Sequence, residues 1–291
     1  MKDRLEAIAY DLVTGIMRLF PFAAVSAFGG FIVKLIGPLT SKNHIAETGL
    51  RTAFPEKSDV EIRKLMRAQW ENLGRTFAEF SHTHRLQPFE KNSRIKIIGI
   101  EHFDANHPAI LFSGHFANWE IMATVLTQSE HTVRVTYRKI NNPYIDDRIR
   151  KQREAYGTKF LVKKTGHASG RELFEALKLG DSVAILNDQK FNTGLEVPFF
   201  GEPAMTAQGA VRLALKTKRP LLPMVVTRDK SNFVVTFHPP IALEVTGERD
   251  ADVLAGVKQV NHYIEDRVRE NPAQWFWVHR RWPKSLYKKT L

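Results

Sequence analysis

An α/β fold, with a central, mostly parallel mixed sheet flanked by helices, is what this sequence predicts. Three observations carry the prediction. Short apolar or β-branched runs alternate with helical patterns from about residue 94 to residue 227, the order that builds a parallel sheet with helices on its faces. Hydrophobic residues make up 43% of the 291 residues, enough for a sizeable core. No internal repeat or low-complexity linker interrupts the chain. The expected organisation is an N-terminal section of apolar and amphipathic helices over residues 1–40, then a single α/β domain over residues 41–291.

Taken in order, residues 5–20 place Leu5, Ile8, Ala9, Leu12, Ile16 and Phe20 on one helical stripe. The uncharged run Leu19 to Val33 follows. It is short for a spanning helix and contains Pro21 and Gly29-Gly30. The reading is an interfacial or shallowly inserted anchor, with a helical hairpin packed on the domain as the alternative. Ser58 and Glu61 form a capping-box pattern. It opens a long helix carrying Ile62, Leu65, Met66, Trp70, Leu73 and Phe77 to about Phe80. Strands are predicted at 94–100, 109–112, 132–137, 160–163, 183–186, 222–227 and 233–238, the last two as an antiparallel edge pair. Helices are predicted from about Ala117, from Asn142-Pro143 to Ala155, over 166–179, from a Thr206 cap through Lys216, and over 252–270.

The net charge is +12. Residues 138–171 hold ten basic residues against three acids, and the tail from Phe276 adds five more basic residues. Such an excess meets anionic partners, either lipid phosphates or an acidic protein. No helix-turn-helix, zinc-finger or RNP signature directs it to nucleic acid. The absence of cysteine excludes disulfides, a thiolate nucleophile and sulfur-ligated metal sites.

The segment 108–120 carries the chemistry. Ala109 to Phe112 is a buried strand, Ser113-Gly114 a break, and a helix follows. His115 and Glu120 therefore lie where a strand hands over to a helix, the place where open α/β sheets collect ligands. Acyl transfer to a hydroxyl needs a base, and imidazole suits that task near neutral pH. A carboxylate on the other ring nitrogen fixes its tautomer. On this reading His115 is the base and Glu120 its partner; the alternative is a helix-entry histidine and a surface acid, since H-x-x-x-x-E by itself is a common pattern. They can meet only if His115 sits on the turn before the helix, because five residues along a helix the side chains diverge by about 140°.

His115-Phe-Ala-Asn118-Trp119-Glu120 resembles the core motif of the lysophospholipid and lipid A acyltransferases. Tyr137-Arg138 with Asn142-Pro143, then Asn187-Asp188-Gln189 with Val197-Pro198-Phe199-Phe200-Gly201 and Ala204-Met205-Thr206, then Trp277-Val278-His279-Arg280-Arg281-Trp282 resemble later blocks in the same order. Within that group the chain looks most like the bacterial late acyltransferases of lipid A biosynthesis, the lauroyl/myristoyl family. The resemblance implies a glycerol-phosphate-acyltransferase-like fold at the cytoplasmic face of the inner membrane. It implies transfer of an acyl chain from acyl-acyl carrier protein, or acyl-CoA, to a hydroxyl of a lipid A precursor. His115 would be the general base, with no covalent acyl-enzyme, metal or cofactor. Sequences that acylate mannosylated phosphatidylinositol or lysophospholipids share the His–Glu pair. Further expectations attach to single residues. Asn118 shapes the pocket. Arg138 holds the thioester oxygen or a phosphate, or is a strand-end surface residue. Asp188 and Gln189 form a site wall or a turn. Arg280 and Arg281 meet lipid phosphates or pack the C-terminal segment.

Overall fold

The computed structural model describes residues 1–104, 106–137, 139–155, 157–162 and 167–288. Four helices come first: α1 (Lys2–Met17), α2 (Phe22–Ile36), α3 (Lys42–Ala53) and α4 (Asp59–Glu79). Ser58 caps α4 as its sequence predicts. The Ser58 N–H donates to Glu61 Oε2 at 2.9 Å, and the Glu61 N–H donates back to Ser58 Oγ. Helix α3 was not expected, because its polar residues mask the stripe Ile45, Ala46, Leu50 and Ala53 that it buries.

The sheet follows: β1 (Ile95–Ile98), β2 (Ile110–Ser113), α5 (Glu120–Gln128), β3 (Val133–Tyr137), α6 (Pro143–Ala155), β4 (Lys159–Val162), α7 (His167–Lys178) and β5 (Ser182–Leu186). Then come the hairpin β6 (Leu195–Phe199) and β7 (Glu202–Thr206), α8 (Gly209–Thr217), β8 (Leu221–Asp229), β9 (Asn232–Phe237) and α9 (Arg249–Glu270). The seven-stranded order is β1-β9-β8-β2-β5-β3-β4. Strands β8, β2, β5, β3 and β4 run parallel, and β9 with β1 runs the other way. The mostly parallel mixed sheet is as predicted. The antiparallel pair β8–β9 is also present, but β1 covers β9 and becomes the edge. Two boundaries differ. Helix α5 starts at Glu120 rather than near Ala117, and Thr206 closes β7 instead of capping α8.

Helix α1 is oriented opposite to a core helix. Its polar side holds α6: Asn142 Nδ2 donates to the Asp3 carbonyl and to Glu6, and Arg148 Nε pairs with Asp11 at 2.6 Å. The apolar stripe faces outward, with Leu5, Ile8, Leu12, Ile16 and Phe20 all more than half exposed or nearly so. Helix α2 packs on α4 through glycine. A Cβ on Gly29 would lie 2.7 Å from the Gly74 carbonyl oxygen, and one on Gly74 would lie 2.2 Å from the Gly29 oxygen. Only the bare backbone permits that approach. The opposite side of α2 exposes Phe28, Phe31, Leu35 and Ile36. By length and composition the stretch Phe22–Leu39 can cross a membrane, with mean hydropathy 1.7, and one third of it is buried in the fold.

The C-terminal segment folds back over the sheet. Arg281 is wholly buried and donates to the Met205 carbonyl, to Thr206 Oγ1 at 2.6 Å and to Asn261 Oδ1. Burial pushes its guanidinium down to about 10. The Trp282 indole donates to the Phe199 carbonyl at 3.0 Å. His279 Nε2 accepts the Lys190 N–H at 3.1 Å. Burial pushes the His279 imidazole down to about 4, against the opposing pull of Asp188. A histidine neutral in the fold and protonated in the unfolded chain favours unfolding as pH falls below its ordinary value. His279→Gln keeps an acceptor for Lys190 but cannot titrate. Urea unfolding at pH 7 and pH 5 should show the variant losing about 2 kcal/mol less stability than the parent over that interval. Equal losses would show that His279 does not titrate this way.

Candidate active site

Strands β2 and β5 are parallel neighbours in a register that pairs Ser113 with Leu186. Both chains leave the sheet at the same edge. His115 lies two residues beyond Ser113 and Asp188 two beyond Leu186, so the sheet itself delivers them to one point. His115 Nδ1 donates to Asp188 Oδ1 at 2.7 Å. The His115 backbone N–H and the Trp275 indole N–H both donate to Asp188 Oδ2, at 2.7 and 2.8 Å. The Asp188 side chain is 1% exposed. Burial alone would raise its pKa. The charge and hydrogen bonds of His115, with the Trp275 bond, outweigh that and hold the carboxyl below its ordinary value. An ionised carboxylate on Nδ1 places the imidazole proton there and leaves the lone pair on Nε2.

The turn that carries His115 is clamped. A Cβ on Gly114 would meet Phe116 at 2.7 Å and Asp188 at 3.2 Å, so glycine is needed for the close approach. Ala117 has φ 43°, a left-handed conformation that costs an alanine about 1–2 kcal/mol. It is held there from both sides: its N–H donates to the Gln274 carbonyl at 2.7 Å, and its carbonyl accepts Thr76 Oγ1 at 2.7 Å. Phe116 bridges Trp275 as a short antiparallel pair. Asn118 is fully buried. Its Oδ1 accepts the Glu120 N–H, the turn that opens α5, and its Nδ2 donates to Glu79 Oε2 at 2.9 Å. Glu79 is wholly buried, paired with Arg228 of β8, and accepts Ser26 Oγ of α2 at 2.6 Å. Asn118 is thus bound into the framework instead of lining a pocket.

Glu120 is not the carboxylate on His115. Its Oε2 accepts Arg153 Nε of α6 at 2.8 Å, and its other oxygen takes a second guanidinium N–H of Arg153. The Arg153 guanidinium also lies over the Phe80 and Tyr137 rings, 5.6 and 5.4 Å from their centroids. His115, Glu120 and Arg153 nevertheless share one cavity of about 250 Å³ between the sheet and α5, with otherwise mainly apolar walls such as Leu111, Met122, Val135 and Ile185. Trp119 meets the His115 ring edge-on at 5.0 Å.

The remaining predicted site residues separate. Gln189 is half-buried beside Asp188, and Arg280 is exposed. Arg281 faces inward as described, so it has no surface to offer a phosphate. Arg138 lies outside the described residues. Within the basic stretch, Arg148 pairs with Asp11 at the surface, and Arg150 and Lys151 pair with Asp147. Among the described residues no three His, Asp or Glu side chains gather as a metal would require. Sequence reasoning missed Arg153, Trp275, Glu79 and Arg228. Arg153 was counted only as one of many cations, and nothing local distinguished it.

Residues 5–284 match the family model of bacterial lipid A biosynthesis acyltransferases. The chain is 28% identical over 255 residues to the lipid A biosynthesis lauroyltransferase of Escherichia coli strain K12, spanning 81% of this chain and 78% of that protein. It is 24% identical over 275 residues to the lipid A biosynthesis palmitoleoyltransferase of the same organism, spanning 90% and 85%. It is 26% identical over 230 residues to the phosphatidylinositol mannoside acyltransferase of Mycobacterium tuberculosis strain CDC 1551 / Oshkosh, spanning 76% and 71%. With the family match running across nearly its whole length, the chain belongs to the bacterial lipid A biosynthesis acyltransferases.

Proposed function

We propose that the protein moves a fatty acyl chain, of the lauroyl or myristoyl class, from acyl-acyl carrier protein to a hydroxyl of a lipid A precursor at the cytoplasmic face of the inner membrane. The observation that carries this reading is the His115–Asp188 pair at the wall of an apolar cavity. His115 Nε2 takes the proton of the acceptor hydroxyl. The oxygen attacks the thioester carbonyl and a new carbon–oxygen bond forms. The carbon–sulfur bond then breaks, and the thiolate leaves with the proton returned from His115. Asp188 holds the imidazole upright and stabilises its charged form. Glu120 holds Arg153 in the cavity wall, where the guanidinium faces the charge that develops on the carbonyl oxygen. The exposed apolar sides of α1 and α2 suit a bilayer surface. Arg280, with Arg138, is assigned to lipid phosphate or carrier contacts, and Gln189 to the wall beside Asp188.

A second acceptor class has its own support, since relatives include phosphatidylinositol mannoside acyltransferases. The protein, supplied with acyl-acyl carrier protein as donor, is therefore to be offered a lipid A precursor, mannosylated phosphatidylinositol and a lysophospholipid in parallel. Product on the lipid A precursor is expected, and product only on another acceptor would overturn the assignment. Mass spectrometry of lipid A from a host with and without the protein should show the mass of one added acyl chain.

His115→Ala should lower kcat by at least ~10²-fold while vesicle binding is retained. Asp188→Asn should lower kcat by ~10³- to 10⁴-fold, because an amide reverses the tautomer preference. Glu120→Gln should leave the His115–Asp188 contact intact and reduce turnover by releasing Arg153. Undiminished turnover in His115→Ala would remove it from the mechanism. Equal activity of Asp188→Asn and the parent would return the orienting role to another group.

A further inference from the structure

The geometry points to a lateral channel for a hydrocarbon chain, between α1, α2 and α4, that leads from the membrane-facing surface to the back wall of the catalytic cavity. A second cavity of about 520 Å³ lies there, lined by Thr14, Met17, Val33, Phe77 and Ile149 among others. Three features select its occupant.

The mouth lies in the exposed apolar face. Val13, Phe28 and Phe77 line this cavity, yet are 49%, 61% and 57% exposed. A chain leaving a bilayer against that face enters without crossing water. The inner end meets the catalytic cavity. Trp119, Glu120, Ile140 and Arg153 line both spaces, so the Glu120–Arg153 pair and Trp119 form the partition between them. His115 lies on the other side of that partition. Finally, the walls are apolar apart from that pair and a few hydroxyls, which fits a hydrocarbon chain and not a headgroup or a peptide. One of those hydroxyls, Tyr10 Oη, is buried without a hydrogen-bond partner. A buried hydroxyl left unpaired is costly, and a hydroxyl or ester oxygen on a lipid chain would satisfy it.

The occupant is the acyl chain of a membrane lipid. That this lipid is the acyl acceptor rests on the function proposed above; that the channel takes a lipid chain does not. The arrangement lets the acceptor keep its headgroup in the interface while one chain reaches the partition beside His115.

The test uses the full chain bound to phosphatidylglycerol vesicles that contain a phospholipid with a diazirine near the end of one acyl chain. Irradiation and peptide mass spectrometry locate the adducts, with no turnover required. Adducts are expected on Thr14, Met17 and Ile149, in addition to the outward Leu12 and Phe31. Thr14→Trp fills the channel and should remove at least nine-tenths of the adducts on Met17 and Ile149 while those on Leu12 and Phe31 persist. Thr14→Val preserves the space and should leave the pattern unchanged, which separates blockage from misfolding. Adducts confined to the outward residues in the parent protein would overturn the channel, as would an inner pattern indifferent to Thr14→Trp. Loss of acyl transfer as the reaction would leave the labelling result standing, and an active enzyme with an unlabelled channel would refute the channel alone.

Discussion

A single buried carboxylate, Glu79, ties together the parts on which the site depends. It stands at the end of α4 with no exposure, and it is paired with Arg228 of β8. It also accepts Ser26 of α2 and Asn118 of the His115 turn. A buried charge must find donors on every side, and here each donor comes from a different element. Breaking such a pair by removing one partner costs about 3–5 kcal/mol. The cost enforces geometry: the sheet, helix α2 and the strained turn at Ala117 come together where their donors converge on Glu79. Arg228 reaches further still, to Asn72 and Thr76, and Thr76 holds the Ala117 carbonyl.

Two charged pairs then divide the work. Asp188 and His115 sit deep, with the carboxylate closed off by Trp275, so the imidazole is fixed in one tautomer and one direction. Glu120 and Arg153 sit in the cavity wall and balance each other across α5 and α6. An unpaired Arg153 in an apolar wall would be expensive to keep there. Glu120 supplies the opposite charge that keeps it there. Both carboxylates lie near His115, so a motif of histidine and acid read along one segment selects Glu120, whereas the contact is made by Asp188.

The reading from sequence succeeds where the physics is local. The strand before His115, the capping box at Ser58, the alternating pattern of β3 and the short apolar run of β5 are all set by neighbours in the chain. The His115–Asp188 contact is set by the register of β2 on β5, which brings together residues 73 positions apart and has no local signature. Asp188 could be placed at a strand end, but not beside a particular histidine. Arg153 and Arg281 show the same limit. Both are cations within basic stretches, and burial among specific carbonyls, rings and carboxylates is decided by tertiary packing. The stripe on α1 was legible as a stripe. Its outward direction follows from the polar side, where Asp3, Glu6 and Asp11 engage α6.

The contact of Gly29 with Gly74 has a mechanical consequence. Between most packed helices lies a layer of side chains whose rotamers can shift and absorb relative motion. At this crossing backbone rests on backbone, and the side chains of Val33, Glu71, Arg75 and Ala78 pack around it. Helix α2 therefore has little room to slide along α4 at that point. A tilt imposed on α2 is passed to α4, whose Thr76 and Glu79 hold the turn that carries His115.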